Sequence, residues 1–262
     1  MKEFDKLVKI MKRLRNPIDG CPWDRKQTGH SLREYILEEA HELVEAIEID
    51  SIEKQKEELG DLFLQIVFLS QLHREKNHFT IKDVLNTINQ KLIQRHPHIF
   101  GDVTVQSAEE VKQNWEKIKK KDKKSKSILS DYPASMPALS HAKRVAEQAS
   151  SVGFDWPDPL GALEKVEEEA GELKNALRLG QREKVEEEIG DILFAVANVA
   201  RLAHVNPEFA LKNTNRKFVT RFRYIEEQLR KQGKNIDETG MEEMEALWQE
   251  SKTVGQWGRE EG

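Results

Sequence analysis

The sequence predicts an all-α protein made of two tandem repeats of one helical-bundle domain, and three observations carry that expectation. Five acids, Glu38, Glu39, Glu42, Glu58 and Asp61, recur 130 residues later as Glu168, Glu169, Glu172, Glu188 and Asp191 with the same internal spacings. A period that long marks a duplicated domain, because solenoid units repeat every ~20 to 50 residues. The whole chain holds only 14 Gly and 8 Pro, and its long runs of Glu, Lys, Leu, Ala and Gln contain neither, which is the composition of helices. Its 262 residues are also enough for two domains of roughly 100 to 150 residues each.

Both halves show the same order of elements. In the first, Ser31 stands at an N-cap position before a helix reaching about Ile49. A second helix is expected from about Ile52 to Arg74 and a third from about Ile81 to Gln94, on a period of 3.6 residues. In the second half the corresponding helices run from about Ala162 to Leu179, Arg182 to Ala203 and Pro207 to Gln232. Two similar hairpins that each carry acids are the parts of a helical bundle.

Between the halves, Lys117 to Lys126 holds seven lysines, and Ser130 to Pro137 adds Pro, Ser and Asp. This reads as a solvated linker. The competing reading, a nucleic-acid or phosphate patch, lacks any aromatic residue within the lysine run to stack on bases. The expected division is therefore an N-terminal domain over 1–118, a Lys-rich linker over 119–137 and a C-terminal domain over 138–262.

Composition excludes several classes. A single cysteine, Cys21, rules out a disulfide framework. The N-terminal residues include Glu3 and Asp5 and no continuous apolar segment, so the expectation is a cytoplasmic protein without a membrane anchor. A net charge of −5 does not favour nucleic acid as a partner of the chain as a whole.

The acids sit where solvated charges do not belong. At 100° per residue, Leu32, Ile36, Ala40, Leu43 and Ile47 form an apolar stripe with Glu39 and Glu42 on its border and Glu38 further out. Val166, Ala170, Leu173 and Leu177 form the second copy's stripe, bordered by Glu169 and Glu172, with Glu168 further out. The partner helices are apolar nearly all round, from Leu59 to Leu69 and from Ile189 to Leu202, and are expected to be largely buried. Glu58 with Asp61, and Glu188 with Asp191, lie on one face of each. Buried carboxylates are costly when uncompensated, and neighbouring ones repel as well. A divalent cation between the helices relieves both, and an all-oxygen donor set points to Mg²⁺ or Mn²⁺ over zinc.

The third helices share N-x-K-[LF]-x-x-R, as Asn89, Lys91, Leu92 and Arg95 and again as Asn215, Lys217, Phe218 and Arg221. Lys and Arg four residues apart lie on one face and can meet phosphate oxygens held against the metal. A metal-bound polyphosphate accounts for acids and bases together. Two other classes compete. A di-iron carboxylate bundle is prompted by Glu38-x-x-His41, but the counterpart of His41 is Gly171 and no second E-x-x-H lies on an acid-bearing helix. A helical interaction or regulatory protein, in which at least the N-terminal repeat is non-catalytic, is the other.

The chain resembles the bacterial MazG family of nucleoside triphosphate pyrophosphohydrolases. The resemblance rests on Gly20-Cys21-Pro22-Trp23-Asp24 with Gln27-Thr28, and on the E-E-x-x-E and E-x-x-D pair in both halves. It extends to Arg95-His96-Pro97-His98 with Phe100-Gly101, Gly153-Phe154-Asp155-Trp156, and Asn215-x-Lys217-Phe218-x-x-Arg221-Phe222. It implies an all-α NTP pyrophosphatase fold, Mg²⁺ dependence, a homodimer, and conversion of an NTP to NMP and pyrophosphate. It further implies that the C-terminal repeat is the competent site. Glu169, Glu172, Glu188 and Asp191 then hold Mg²⁺, and Glu168 orients or deprotonates the attacking water. Lys165, Lys184, Asn215, Lys217, Arg221 and Trp248 bind substrate. Glu39, Glu42, Glu58 and Asp61 form a possible second site, while Trp23 and Trp156 are expected in the core.

Overall fold

The computed structural model describes residues 2–107, 110–111, 114–115, 118, 127–129, 132–133 and 135–254. Among these there are helices and turns and no strand. The chain divides into two compact units, Met1–Lys124 and Ser125–Gly262. The lysine run read as a linker, Lys117 to Lys126, lies outside the described residues except at 118.

The first unit contains α1 (Lys2–Leu14), α2 (Pro22–Lys26), α3 (Leu32–Glu48), α4 (Ile52–Glu75), α5 (Ile81–Arg95) and α6 (Pro97–Phe100). Helices α3 and α4 form an antiparallel hairpin, and α1 closes one side of it. Their shared core is Met11, Leu32, Val67, Phe68 and Leu72. Arg15, just past α1, ties the next segment down. Its guanidinium bonds both oxygens of Glu75 at 2.7 and 2.6 Å, reaches the carbonyl of Asp24, and lies 5.6 Å over the Phe68 ring. Burial raises the Glu75 carboxyl, but hydrogen bonds from Arg15 and Gln71 outweigh it and hold the group below its ordinary range. Gly20 has a steric reason: a Cβ there would collide with the carbonyl oxygens of Leu14 and Asn16.

The second unit contains α7 (Ala138–Ser150), α8 (Pro159–Leu179), α9 (Arg182–Leu202), α10 (Pro207–Lys231), a 3₁₀ turn (Ile236–Glu238) and α11 (Met241–Val254). Here α8 and α9 are the hairpin and α7 takes the place of α1 against it. Helices α10 and α11 pair around Ile225, Leu229 and Leu247. Ala162, Ala176, Ala195 and Ala197 are all buried, and such small side chains bring α8 and α9 close together.

The two hairpins turn in the same way. Asp50 (φ 53°) and Gly180 (φ 66°) occupy equivalent left-handed positions. Behind each, a long backbone bond closes the helix end, from Ser51 N to Ala46 O and from Gln181 N to Ala176 O, both 3.1 Å. This is the Schellman arrangement, which favours glycine at the left-handed residue.

The predicted helices are found, most of their ends within one residue. Four expectations are corrected. Helix α8 begins at Pro159, because Asp158 caps it by accepting from the Gly161 amide at 2.9 Å. Ser31 precedes α3 without capping it, since its hydroxyl donates to Gln27 Oε1 at 2.6 Å and accepts from Thr28 N. On α8 the buried line is Ala162, Glu169 and Ala176, not the stripe through Ala170, so Glu169 faces α9 directly. The second helices are not covered all round: Leu59 and Ile66 on α4, and Ile189, Leu193 and Val196 on α9, remain exposed. A hairpin with one helix against it leaves its remaining apolar face open. The sequence reading also left out α1, α2, α6 and α7; α2 and α6 are a single turn or so, whereas Phe4, Leu7, Val8, Met11 and Leu14 on α1 do recur at helical spacing.

Gly180→Ala is expected to destabilise the second unit by about 1 kcal/mol, because nothing crowds the new methyl and the cost is the left-handed backbone alone. Asp50→Gly should relieve the corresponding cost in the first unit. Urea denaturation of both variants checks the pair, and a neutral Gly180→Ala would show that the turn is not held as described.

Candidate metal centre and the groove beside it

The hairpin register, set at the Gly180 turn, places Glu169 and Glu172 of α8 opposite Glu188 of α9. One carboxylate oxygen from each lies within 4.8 Å of the others. Glu169 is 7% and Glu188 4% exposed, while Glu172 faces solvent. Burial pushes the Glu188 carboxyl up, and the charge of Glu172 and a hydrogen bond with Glu169 push it further, against the opposing charge of Lys184. Such a site gains from a cation. Its donors are all carboxylate oxygens on two helices, which suits a hard divalent ion.

Lys165 is already placed at this cluster. Its ammonium lies 2.8 Å from Glu169 and 2.9 Å from Glu168, and hydrogen bonds with these two make it hold its proton more tightly than an ordinary lysine. Glu168 is exposed at the rim. Asp191 stands one turn beyond Glu188 and does not join the tight trio. It lines an adjoining groove of about 200 Å³ with Lys165, Glu169, Trp156, Ala162, Phe194, Ala195 and Asn198.

That groove follows from helix geometry. Along α9, residues 188, 191, 195 and 198 share a face, and along the antiparallel α8 residues 172, 169, 165 and 162 share the face opposite. The acids therefore mark one end, Lys165 and Asp191 the middle, and Ala162, Ala195 and Asn198 the other end. Trp156 is on this wall and 36% exposed, not in the core. Trp23, its counterpart in the first unit, is 51% exposed and stands edge-on to Tyr35 with ring centroids 5.7 Å apart.

The first unit repeats the acids but not the groove wall. Oxygens of Glu39, Glu58 and Asp61 lie within 4.8 Å, and all three residues are half-buried; Glu42 stands outside the trio. Burial raises Glu39 with help from Asp61, and burial raises Glu58 with help from Glu42. Gln65 donates to Glu39 at 3.4 Å. At the positions equivalent to Ala162, Lys165, Ala195 and Asn198 the first unit carries Leu32, Tyr35, Gln65 and Phe68, three of them larger apolar or aromatic groups.

Of the other expected substrate-binding residues, Lys184 is exposed at the start of α9. Arg221 lies 5.6 Å over the Trp248 ring, and Phe218 is 5.1 Å from the same ring, so these form a cluster on α10 and α11. Asn215 and Lys217 are exposed on α10. No hydrogen bond or ion pair between the described residues joins Asn215, Lys217, Arg221 or Trp248 to the acids. Sequence reasoning missed Asn198 and Arg201, whose signal was a polar residue inside the apolar run of α9.

The MazG nucleotide pyrophosphohydrolase domain model matches residues 27–100 and 158–225, one span in each unit. A Thermotoga maritima protein named nucleoside triphosphate pyrophosphohydrolase/pyrophosphatase MazG is 47% identical over 251 residues, covering 95% of both chains. An Escherichia coli K12 protein named nucleoside triphosphate pyrophosphohydrolase is 39% identical, covering 96% of this chain and 98% of its own. The uncharacterized protein YabN of Bacillus subtilis is 44% identical, covering 95% of this chain and 52% of its own. Two domain matches that coincide with the two acid-bearing hairpins, and relatives alike over nearly their whole length, establish that this chain belongs to the MazG family.

Proposed function

We propose that the second unit hydrolyses nucleoside triphosphates to the monophosphate and pyrophosphate, with a divalent cation, Mg²⁺ or Mn²⁺, held by Glu169, Glu172, Glu188 and Asp191. The observation that carries this is the convergence of three carboxylates from two helices at the end of a groove walled by Lys165, Trp156 and Asn198. The names of the full-length relatives support the same activity. A bound divalent ion supplies charge neutralisation and Lewis acidity to the phosphates. The residues do the rest. Lys165, at the edge of the acids, would offer its ammonium to a phosphate oxygen. Glu168, exposed at the rim, accepts the proton of the attacking water. Lys184, Asn215, Lys217, Arg221 and Trp248 complete the substrate contacts.

The first unit, in this reading, is non-catalytic. Tyr35 replaces the cation of Lys165, and Leu32, Gln65 and Phe68 fill the positions that leave a groove in the second unit. The protein acts as a homodimer through the apolar faces that one chain leaves open, among them Leu193 (49% exposed) on α9 and Phe218 (55%) on α10. Its domains are 1–118 and 138–262 with a linker at 119–137. No helix among the described residues is long and apolar enough to cross a membrane, and we assign the protein to the cytoplasm with no nucleic-acid partner.

Incubation with each NTP and Mg²⁺ is expected to yield NMP and pyrophosphate; release of inorganic phosphate with NDP would sink the assignment. Glu188→Gln, and Glu169→Gln with Glu172→Gln, should abolish turnover with the fold intact, because each removes charge from a repulsive cluster. The matching changes at Glu39 and Glu42 should leave most of the activity. An equal loss from the N-terminal pair would contradict the division of labour.

Mg²⁺ or Mn²⁺ at saturating concentration should raise the thermal midpoint by on the order of 5 °C, since an ion bound only by the folded state stabilises it by mass action. Glu188→Gln should blunt the shift. Absence of a shift with any divalent ion would count heavily against the metal site.

Sedimentation equilibrium should return twice the chain mass of 30.4 kDa. A monomer at micromolar concentration would mean the open apolar faces have another occupant.

A further inference from the structure

We infer that the far end of the α8–α9 groove reads the distal edge of the substrate's base as a hydrogen-bond acceptor, with Asn198 as the specificity-determining donor and Arg201 as the residue that positions it. The inference deepens the nucleotide reading above and rests on it.

Asn198 is 2% exposed and forms part of the groove wall. Arg201 Nε donates to Asn198 Oδ1 at 2.7 Å. A guanidinium has donors only, so this bond fixes which way the amide points: the oxygen must face Arg201 and the NH₂ must face away. Among the described residues that NH₂ meets no acceptor. With its oxygen committed to Arg201, the amide has only its NH₂ to offer a ligand in the groove, and that group bonds acceptors alone.

The same guanidinium holds a second piece of the wall. Arg201 Nη1 bonds Asp155 Oδ2 at 3.1 Å, and Nη2 bonds Asp155 Oδ1. Asp155 Oδ1 also accepts the backbone N–H of Trp156 at 2.8 Å. One half-buried arginine therefore orients the Asn198 amide and anchors the segment carrying Trp156. With Phe194, Trp156 supplies the aromatic surface a flat heterocycle needs.

Position decides which part of a nucleotide reaches Asn198. It lies ten residues past Glu188 on one face of α9, about 15 Å at 1.5 Å per residue. With the phosphates at the acids, the base enters the far end leading with the edge opposite its sugar. The groove holds about 200 Å³ and is open, so it need not enclose the whole nucleotide. It suits the base alone. On that leading edge guanine, hypoxanthine and uracil carry an oxygen, whereas adenine and cytosine carry an amino group. The Asn198 NH₂ bonds the first kind and opposes the second, donor to donor. In the first unit the equivalent positions are Phe68 and Gln71, which offer no such pairing.

The test compares inosine and adenosine triphosphates, which differ at that edge. Wild-type kcat/KM should favour the inosine compound by about tenfold, and dissociation constants from calorimetry in Ca²⁺ should differ in the same direction. Asn198→Asp keeps an oxygen toward Arg201 and turns a second oxygen to the groove, and should reverse the preference. Arg201→Gln should bring the ratio toward one, acting mainly on KM. Equal wild-type values for the two substrates, or an unchanged ratio in Asn198→Asp, overturn the inference. If Asn198→Asp does not fold, the wild-type dissociation constants alone decide it. Failure to hydrolyse any triphosphate would instead count against the proposed activity, while the binding constants still report on the edge.

Discussion

Everything in the second unit depends on forcing three carboxylates together between two helices. Glu169 and Glu188 are among the most buried residues of their helices, in positions that an apolar pair would fill at lower cost. The hairpin accepts this because Ala162, Ala176, Ala195 and Ala197 let the backbones approach, so that packing elsewhere offsets the strain of the acids. Lys165 meets part of the charge in the absence of a cation, bridging Glu168 and Glu169. The cluster thus carries more negative charge than Lys165 alone balances.

The two units show what duplication preserved and what it released. Both keep an acid trio, both turn through a left-handed residue, and both place a tryptophan before the first hairpin helix. They differ in the far half of the groove. There the first unit carries Leu32, Gln65 and Phe68, and two of these belong to or pack its apolar core. The second carries Ala162, Ala195 and Asn198, and gives up core volume to make a wall. The difference is one of side-chain size and polarity at equivalent positions, and it leaves a groove between the second unit's hairpin helices where the first unit has core side chains.

How much of this was legible in the sequence varies with the range of the interaction concerned. The acids and the helices carrying them were readable because spacing along a helix is local. The burial of Glu169 was only half readable: its position at the edge of the α8 stripe followed from periodicity, but which neighbour it faces depends on the register set at Gly180. The caps divided in the same way, with Asp158 bonding its own helix and Ser31 turning back to Gln27. Trp156 was misplaced because size and apolarity favour a core, whereas its actual location follows from the Asp155–Arg201 pair, 46 residues apart in sequence. The exposed faces of α4 and α9 could not be seen at all, since an apolar run does not say whether its partner lies in the same chain.

The left-handed turn joining each pair of hairpin helices carries an evolutionary consequence. The links are short, three residues in the first unit (49–51) and two in the second (180–181), and each sets the phase of one helix against the other. Adding or deleting a single residue there would rotate the second helix by about 100° relative to the first and carry its acids off the shared face. Point changes at the turn, such as the exchange of aspartate for glycine between the two copies, are tolerable; changes of length are not. The acids keep the same ungapped spacing in both copies, as that geometry requires.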